Sequence, residues 1–400
     1  MADQEWVSVP VGIGAERWVT RGGCKKVVVA VHTVVAGQRL LDVVDLVEQD
    51  PQVQVVYTRA PDVLGGGVER FLRTIGALVI PWQQAIRERF DLCLAASCGG
   101  VEKLHGPLVL LPHGAGYGKR LDGDGPVYGL DAQRLTHDGR VLPSLLVLSH
   151  EGQRETLARQ CPEAVGVAEV IGDPCYDRMA LSTGNRQAYR DAFGLAAGQE
   201  LVVVTSTWGP DSLFSRDSGI FARLTGELDP RRFLVAAAIH PAVWSGHGHR
   251  QVRAWLARAA GLVLVEPERD WRPAVVAADH VVGDPSSTMV YAAAIGRSVL
   301  PVPGGDRNTA AGSPQHRIGT TAPAWRTDRT ARSQLHRAAA ALDPALGARV
   351  VGDLTSRPGA AHRVLRERLY RLLDAPMPGR HRRPDPVPVP TAEPGGRRHA

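Results

Sequence analysis

Short, unbroken apolar runs recur along this 400-residue chain, each followed by a stretch with helical character, and no other feature restricts the fold as strongly. The first series is Val27–His32, Val53–Thr58, Asp91–Ala95, Leu108–Leu111, Leu145–Ser149 and Ala168–Ile171. Strands of a parallel sheet are covered by helices on both faces, so they read as continuous apolar runs and do not alternate. From Leu201 the series restarts with Leu201–Thr205, Phe233–Ile239, Leu262–Val265, His280–Gly283 and Val299–Val302. The pattern implies two α/β units in series. The regular elements break over Ser182–Glu200, at Ser182-Thr183-Gly184-Asn185 and Ala196-Ala197-Gly198.

We therefore expect one Rossmann-like domain over 1–185 and a second over 186–345, then helices over 346–375 and a basic, proline-rich tail over 376–400 that is disordered. A mobile loop is expected from Pro303 to about Arg329, which is rich in Gly, Pro, Thr and Arg and has no periodicity. Helices are expected at Thr330–Leu342 and Ala360–Leu373. In the latter, Val364, Leu365, Leu369, Leu372 and Leu373 share a face opposite arginines. That face either packs on the N-terminal domain or rests on an anionic membrane surface, and packing is the favoured reading.

The net charge of +6 is carried by four lysines and 43 arginines, which are scattered and mark no nucleic-acid face. Residues Arg380-His381-Arg382-Arg383 and Arg397-Arg398 add local charge to the tail. The start, Met1-Ala2-Asp3-Gln4-Glu5, has neither the basic region nor the apolar core of a signal peptide, and no apolar run reaches membrane-spanning length. The expected location is the cytoplasm, with a peripheral contact at the inner membrane face as the variant reading. The five cysteines have no zinc-ligand spacing and are read as reduced thiols. His247 and His249 have no acidic or cysteine partner at a useful spacing, so no metal and no cofactor are assigned.

Ligands of open α/β sheets bind beyond the carboxyl ends of the strands. Five such places carry polar residues. The run ending at Gly283 enters Asp284-Pro285-Ser286-Ser287-Thr288, where a helix start and its hydroxyls suit a phosphate. A cap on that helix is the plainer reading of Asp284 or Ser286. Leu108–Leu111 enters Pro112-His113-Gly114-Ala115-Gly116-Tyr117-Gly118-Lys119. This is not a P-loop, because His113 stands where the first glycine should be and Arg120 replaces the magnesium-binding hydroxyl. The remaining places are Gly172-Asp173-Pro174-Cys175-Tyr176-Asp177, Ser206-Thr207-Trp208-Gly209 and His240-Pro241. His113 and His240 each suit proton transfer or a hydrogen bond to phosphate.

Taken in order, these five motifs, spread from His105 to Val302, resemble the CDP-glycerol glycerophosphotransferases, the polymerases and primases of teichoic-acid synthesis. The matching residues are His113-Gly114 with Lys119, then Gly172, Pro174 and Asp177, then Thr207-Trp208, His240-Pro241, and Asp284 with Ser286-Ser287. Four positions depart from the family pattern: Cys175 and Gly209 stand where arginine is usual, Ser206 where proline is, and Pro285 where tyrosine is. More distantly the layout is similar to UDP-N-acetylglucosamine 2-epimerases.

The resemblance implies a GT-B fold, with two Rossmann-type domains whose parallel sheets face across a cleft. It implies an acceptor-side N-terminal domain, a nucleotide-donor C-terminal domain, and C-terminal helices packing back on the first. The implied reaction moves a polyol phosphate from a CDP-activated donor to an acceptor hydroxyl, with His113 as base and His240 and Lys119 stabilising phosphate charge. Donor contacts would come from Gly114, Gly116, Lys119, Thr207, Trp208, Asp284, Ser286, Ser287 and Thr288, while Gly172, Pro174 and Asp177 would shape the cleft. Two other readings stay open: a nucleotide-sugar glycosyltransferase or epimerase on the same fold, and a degenerate transferase that only binds.

Overall fold

The computed structural model describes residues 6–12, 14–120, 123–305, 307–379 and 383–391. Both parallel sheets read from the apolar runs are present. The first contains β1 (Lys25–Val31), β2 (Val53–Arg59), β3 (Val79–Ile80), β4 (Leu92–Ala95) and β5 (Leu108–Leu110). A small antiparallel hairpin, β6 (Thr136–His137) and β7 (Arg140–Val141), precedes its last strands, β8 (Leu145–Leu148) and β9 (Ala168–Val170). Their order is β3-β2-β1-β4-β5-β8-β9, so the chain builds outward from β1 in one direction and then reverses to β4. Val27, Val28, Val29 and Val31 of β1 have no solvent exposure, as a central strand covered on both faces requires.

The second sheet contains β10 (Glu200–Ser206), β11 (Phe233–Ile239), β12 (Val263–Leu264), β13 (His280–Gly283) and β14 (Ser298–Pro301). Its order is β12-β11-β10-β13-β14, again with a reversal, here between β10 and β13. At that seam Thr205 pairs with Gly283. Position 283 has to be glycine, because a β-carbon there would lie 2.1 Å from the carbonyl oxygen of Thr205.

Two compact units result. One comprises 1–117, 126–175 and 355–384, the other 118–125, 176–354 and 385–400. This differs from the expected boundary near 185, because the division falls inside the continuous helix Pro174–Ser182. A hydrogen-bonded helix carries no glycine or proline punctuation at its middle, so composition does not mark the change.

The helix Ala361–Leu372 belongs to the first unit. Val364, Leu365, Leu369 and Tyr370 join Val27, Val29 and Val31 in one buried cluster. The Tyr370 hydroxyl donates to Asp50 at 2.8 Å, and His362 Nε2 contacts the carbonyl of Asp42 at 2.9 Å. Its apolar face is therefore protein core and not a membrane-binding surface. The preceding helix, Pro344–Leu354, lies in the second unit.

The expected loop from Pro303 to Arg329 contains a helix, Pro314–Thr321, capped by Ser313. In the proline-rich tail, residues 383–391 have no regular structure, yet Val387 is buried against the second unit. Its N–H donates to Ser182 Oγ at 2.9 Å, its carbonyl accepts from the Tyr189 hydroxyl, and Arg178 donates to the carbonyl of Asp385 at 3.1 Å. Residues 1–5, Arg380, His381, Arg382, Arg397 and Arg398 lie outside the described residues.

Candidate active site

The second unit gathers most of the singled-out side chains at the carboxyl ends of β10, β11 and β13. Asp284 follows β13 and is fully buried. Its carboxylate accepts from the Thr207 N–H at 2.9 Å, the Thr207 hydroxyl at 2.8 Å and the Leu213 N–H at 2.9 Å, and it pairs with Arg216 at 3.3 Å. Gly305 packs so closely that a β-carbon there would stand 2.7 Å from Asp284 Oδ1. Asp284, paired with Arg216, thus pins the loop after β10. The Thr207 hydroxyl is already given to that carboxylate.

Ser286, not Asp284, caps the helix Ser287–Ala294, accepting from the Met289 N–H at 3.4 Å. Ser286, Ser287 and Thr288 keep partial solvent access. The helix start there combines hydroxyls with first-turn N–H groups that have no intrahelical acceptor.

His240 ends β11 and caps the helix Pro241–His247, its Nδ1 accepting from the Ala242 N–H at 3.1 Å. An imidazole accepting at Nδ1 carries its neutral-form proton on Nε2, so the ring presents a donor at its far side. Beside it, 6.3 Å between ring centres, is Trp208, 46% exposed. An indole left in solvent next to a hydrogen-bonding imidazole offers a flat face to a planar ligand.

Lys119 reaches this unit from the glycine loop. Segment 118–125 joins the second unit through an antiparallel bridge between Lys119 and Thr309. The Arg120 N–H donates to the Asn308 carbonyl at 2.7 Å and the Ala310 N–H to the Gly118 carbonyl at 3.0 Å. Gly118 allows this docking, because a β-carbon would lie 2.2 Å from Gln315 Oε1. Lys119 retains solvent access as a residue, but enough protein surrounds its ammonium that desolvation lowers its pKa, against an upward pull from Asp284.

The other candidates lie in the first unit, except Asp177, which falls just inside the second. His113, after β5, is exposed, with its ring edge-on to Tyr128 at 6.2 Å, and Arg134 sits 4.3 Å over that tyrosine. Gly114 is held through its carbonyl, which accepts from Arg39 Nη2 at 2.5 Å, while Arg39 Nη1 pairs with Asp173 at 3.2 Å. Arg39 therefore ties the His113 loop to the Gly172 loop from inside the protein, where it and Asp173 are 5% and 1% exposed. Gly116 has φ 62° and abuts Gln153. Gly172, with φ 104°, leaves only 2.9 Å from its absent β-carbon to the Arg357 carbonyl. Pro174 opens the helix Pro174–Ser182, and Asp177 is buried in its first turn.

Arg39, Asp173, Arg216 and Asn308 went unnoticed in the sequence because their partners are remote in the chain. Asp173 alone had a signal, lying inside the Gly172–Asp177 motif. The acids expected to be absent near His249 are also present in space. Glu268 lies 3.3 Å from its Nε2, and Glu266, paired with Arg253, completes a group whose ligand atoms fall within 4.8 Å. The Arg253 guanidinium already faces the Glu266 carboxylate there.

No protein-family model matches the chain, and no curated protein matches it. Solved structures do. A structure of the wall teichoic acid polymerase TagF superposes with a TM-score of 0.58 at 10% identity, covering 88% of this chain and 89% of that one. A second TagF structure, soaked with CDPG, gives 0.59 at 11% identity over the same shares. The fold is GT-B-like. UDP-GlcNAc 2-epimerase from Methanocaldococcus jannaschii also matches, with a TM-score of 0.54 at 11% identity over 86% of this chain and 99% of that one. Among the described residues no helix is long and apolar enough to cross a membrane.

Proposed function

We propose that this protein is a transferase that moves a polyol phosphate from a CDP-activated donor to an acceptor hydroxyl. The observation carrying this reading is the set at the β10–β13 seam. It combines a lysine docked from another loop, a hydroxyl-rich helix start and an Nε2–H imidazole, all at the point where an open α/β sheet takes its ligand. None of these groups is acidic at its exposed surface, which suits a diphosphate. The fold shared with a polymerase soaked with CDPG supports the donor class.

Phosphoryl transfer of this kind is positioning and charge neutralisation. In the proposed reaction an acceptor hydroxyl attacks the β-phosphorus in line, the bond to the bridging oxygen breaks, and CMP leaves with the electron pair. His113 takes the proton from the hydroxyl. Lys119 and His240 Nε2–H neutralise charge growing on the phosphate oxygens, and Ser286, Ser287 and Thr288 seat the donor. Trp208 gives the base or the polyol a flat wall.

The test is CMP release from CDP-glycerol in the presence of polyol-phosphate acceptors, for the parent protein and for His113→Ala, His240→Ala and Lys119→Ala. Loss of one such donor is expected to slow turnover by about 2–4 kcal/mol, a hundredfold or more. Unchanged turnover in the His113 and His240 variants would remove the catalytic reading. The similarity to a UDP-GlcNAc 2-epimerase keeps a nucleotide-sugar donor as the second reading, and a panel of CDP, UDP and GDP separates the two.

A further inference from the structure

At the opposite end of the second sheet from the donor seat, three arginines crowd one aspartate. Asp279 precedes β13. Its carboxylate pairs with Arg186 at 2.7 Å and Arg190 at 2.8 Å, and its Oδ2 also accepts from the Leu201 N–H at 2.8 Å. Both arginines sit on the helix Arg186–Ala192 and also donate to the carbonyl of Ala277, which ends the helix Arg272–Ala277. Arg190 further donates to the Gln199 carbonyl at 2.5 Å. These two guanidiniums are a reasonable match for one carboxylate and a helix carboxyl end.

The third is not matched. Arg297 precedes β14 and is only partly exposed. Its guanidinium makes a single long contact, Nη1 to the Ala278 carbonyl at 3.5 Å, and that same oxygen already accepts from Arg186 Nη2 at 2.7 Å. Two like-charged forks thus lean on one oxygen. No carboxylate lies within ion-pair distance of Arg297 among the described residues. The Nε atoms of both Arg297 and Arg186 are buried with no acceptor. Burial, with Arg186 and Arg190 beside it, pulls the Arg297 pKa down to about 10, Asp279 opposing. Charged groups withdrawn from water are ordinarily paired, and an unpaired one signals a missing partner.

We infer that Arg297, with Arg186 and Arg190, forms a binding site for an oxyanion of the phosphate class, distinct from the donor seat at the other end of the same sheet. The guanidinium fork matches two phosphate oxygens, which a spherical halide does not offer. Three guanidiniums against one carboxylate leave the positive charge that a phosphate would neutralise. Binding there stabilises the second unit by mass action. The inference does not depend on the proposed reaction.

Thermal unfolding of the full chain in inorganic phosphate, against sodium chloride of equal ionic strength, tests it. The parent protein is expected to gain melting temperature with the logarithm of phosphate concentration beyond the chloride control. Arg297→Gln removes the uncompensated charge, so it should melt higher than the parent without phosphate and lose most of the phosphate-specific gain. Arg297→Lys keeps the charge but not the fork, and should melt like the parent without phosphate and show a weaker phosphate response. Ser286→Ala, at the donor seat, should keep the response, which separates this site from phosphate bound there. An equal phosphate gain in parent and Arg297→Gln, no gain beyond chloride in the parent, or an Arg297→Gln protein that melts lower in chloride would each overturn the site.

Discussion

Asp284 decides what the seam between β10 and β13 can do. Because its carboxylate holds the Thr207 and Leu213 amides and Arg216, replacing it leaves buried donors and a cation without their acceptor. Asp284→Ala should lower stability by about 3–5 kcal/mol in chemical denaturation. Gly283→Ala forces a β-carbon toward the Thr205 carbonyl, and overpacking of that kind should cost about 1–3 kcal/mol or more. Lys119 yields a prediction in pH. Burial depresses its pKa, so part of the free protein loses the ammonium below the usual lysine range, while a bound diphosphate favours the charged form. Nucleotide affinity should therefore fall as pH rises through that lowered pKa, and isothermal titration across pH should show the decline for the parent and a flatter profile for Lys119→Met. Those roles were only half visible in the sequence. The motif Asp284–Thr288 announces a strand-to-helix turn with hydroxyls, but nothing local tells that Asp284 faces inward and Ser286 takes the cap.

Elements with long apolar runs were legible, and those fixed by remote pairing were not. β1, β10 and β11 stand out because fully buried strands leave no polar break, whereas β3 and the β6–β7 hairpin are two residues per strand and exist through their neighbours. The helix Pro314–Thr321 has a start signal in Ser313-Pro314 but no apolar period, since it contributes little more than Ile318 to the interior. The helix Ala361–Leu372 was legible in its face, and its packing fixes the prediction it carries. Leu365 is fully buried in the first unit's core, so Leu365→Ala should cost about 2–5 kcal/mol, and Tyr370→Phe about 1–3 kcal/mol through the loss of the donor to Asp50 Oδ2, while Oδ1 keeps the Gln52 N–H. Differential unfolding of the two variants should show the loss in the first unit's transition.

At the scale of the whole molecule the chain is interleaved. The first unit is finished by residues near the C-terminus, and the second takes segment 118–125 from between two strands of the first. A linear reading places one boundary near 185 and returns only the C-terminal helices to the first domain, through the family resemblance and not through any local signal. It has no means of seeing that the glycine loop divides its chemistry, with His113 in one unit and Lys119 in the other. The arginines are scattered along the sequence, yet Arg39, Arg216 and the Arg186–Arg190–Arg297 group each occupy defined places inside the fold.

The central claim is that the β10–β13 seam seats the diphosphate of a nucleotide-linked donor. Isothermal titration of the full chain with CDP, UDP and GDP tests it most directly. The account predicts saturable binding of CDP at millimolar concentration or below, weakened about tenfold or more by Lys119→Ala and by the Ser286→Ala, Ser287→Ala pair. Binding of none of the three nucleotides, or CDP binding that both variants leave intact, would contradict it.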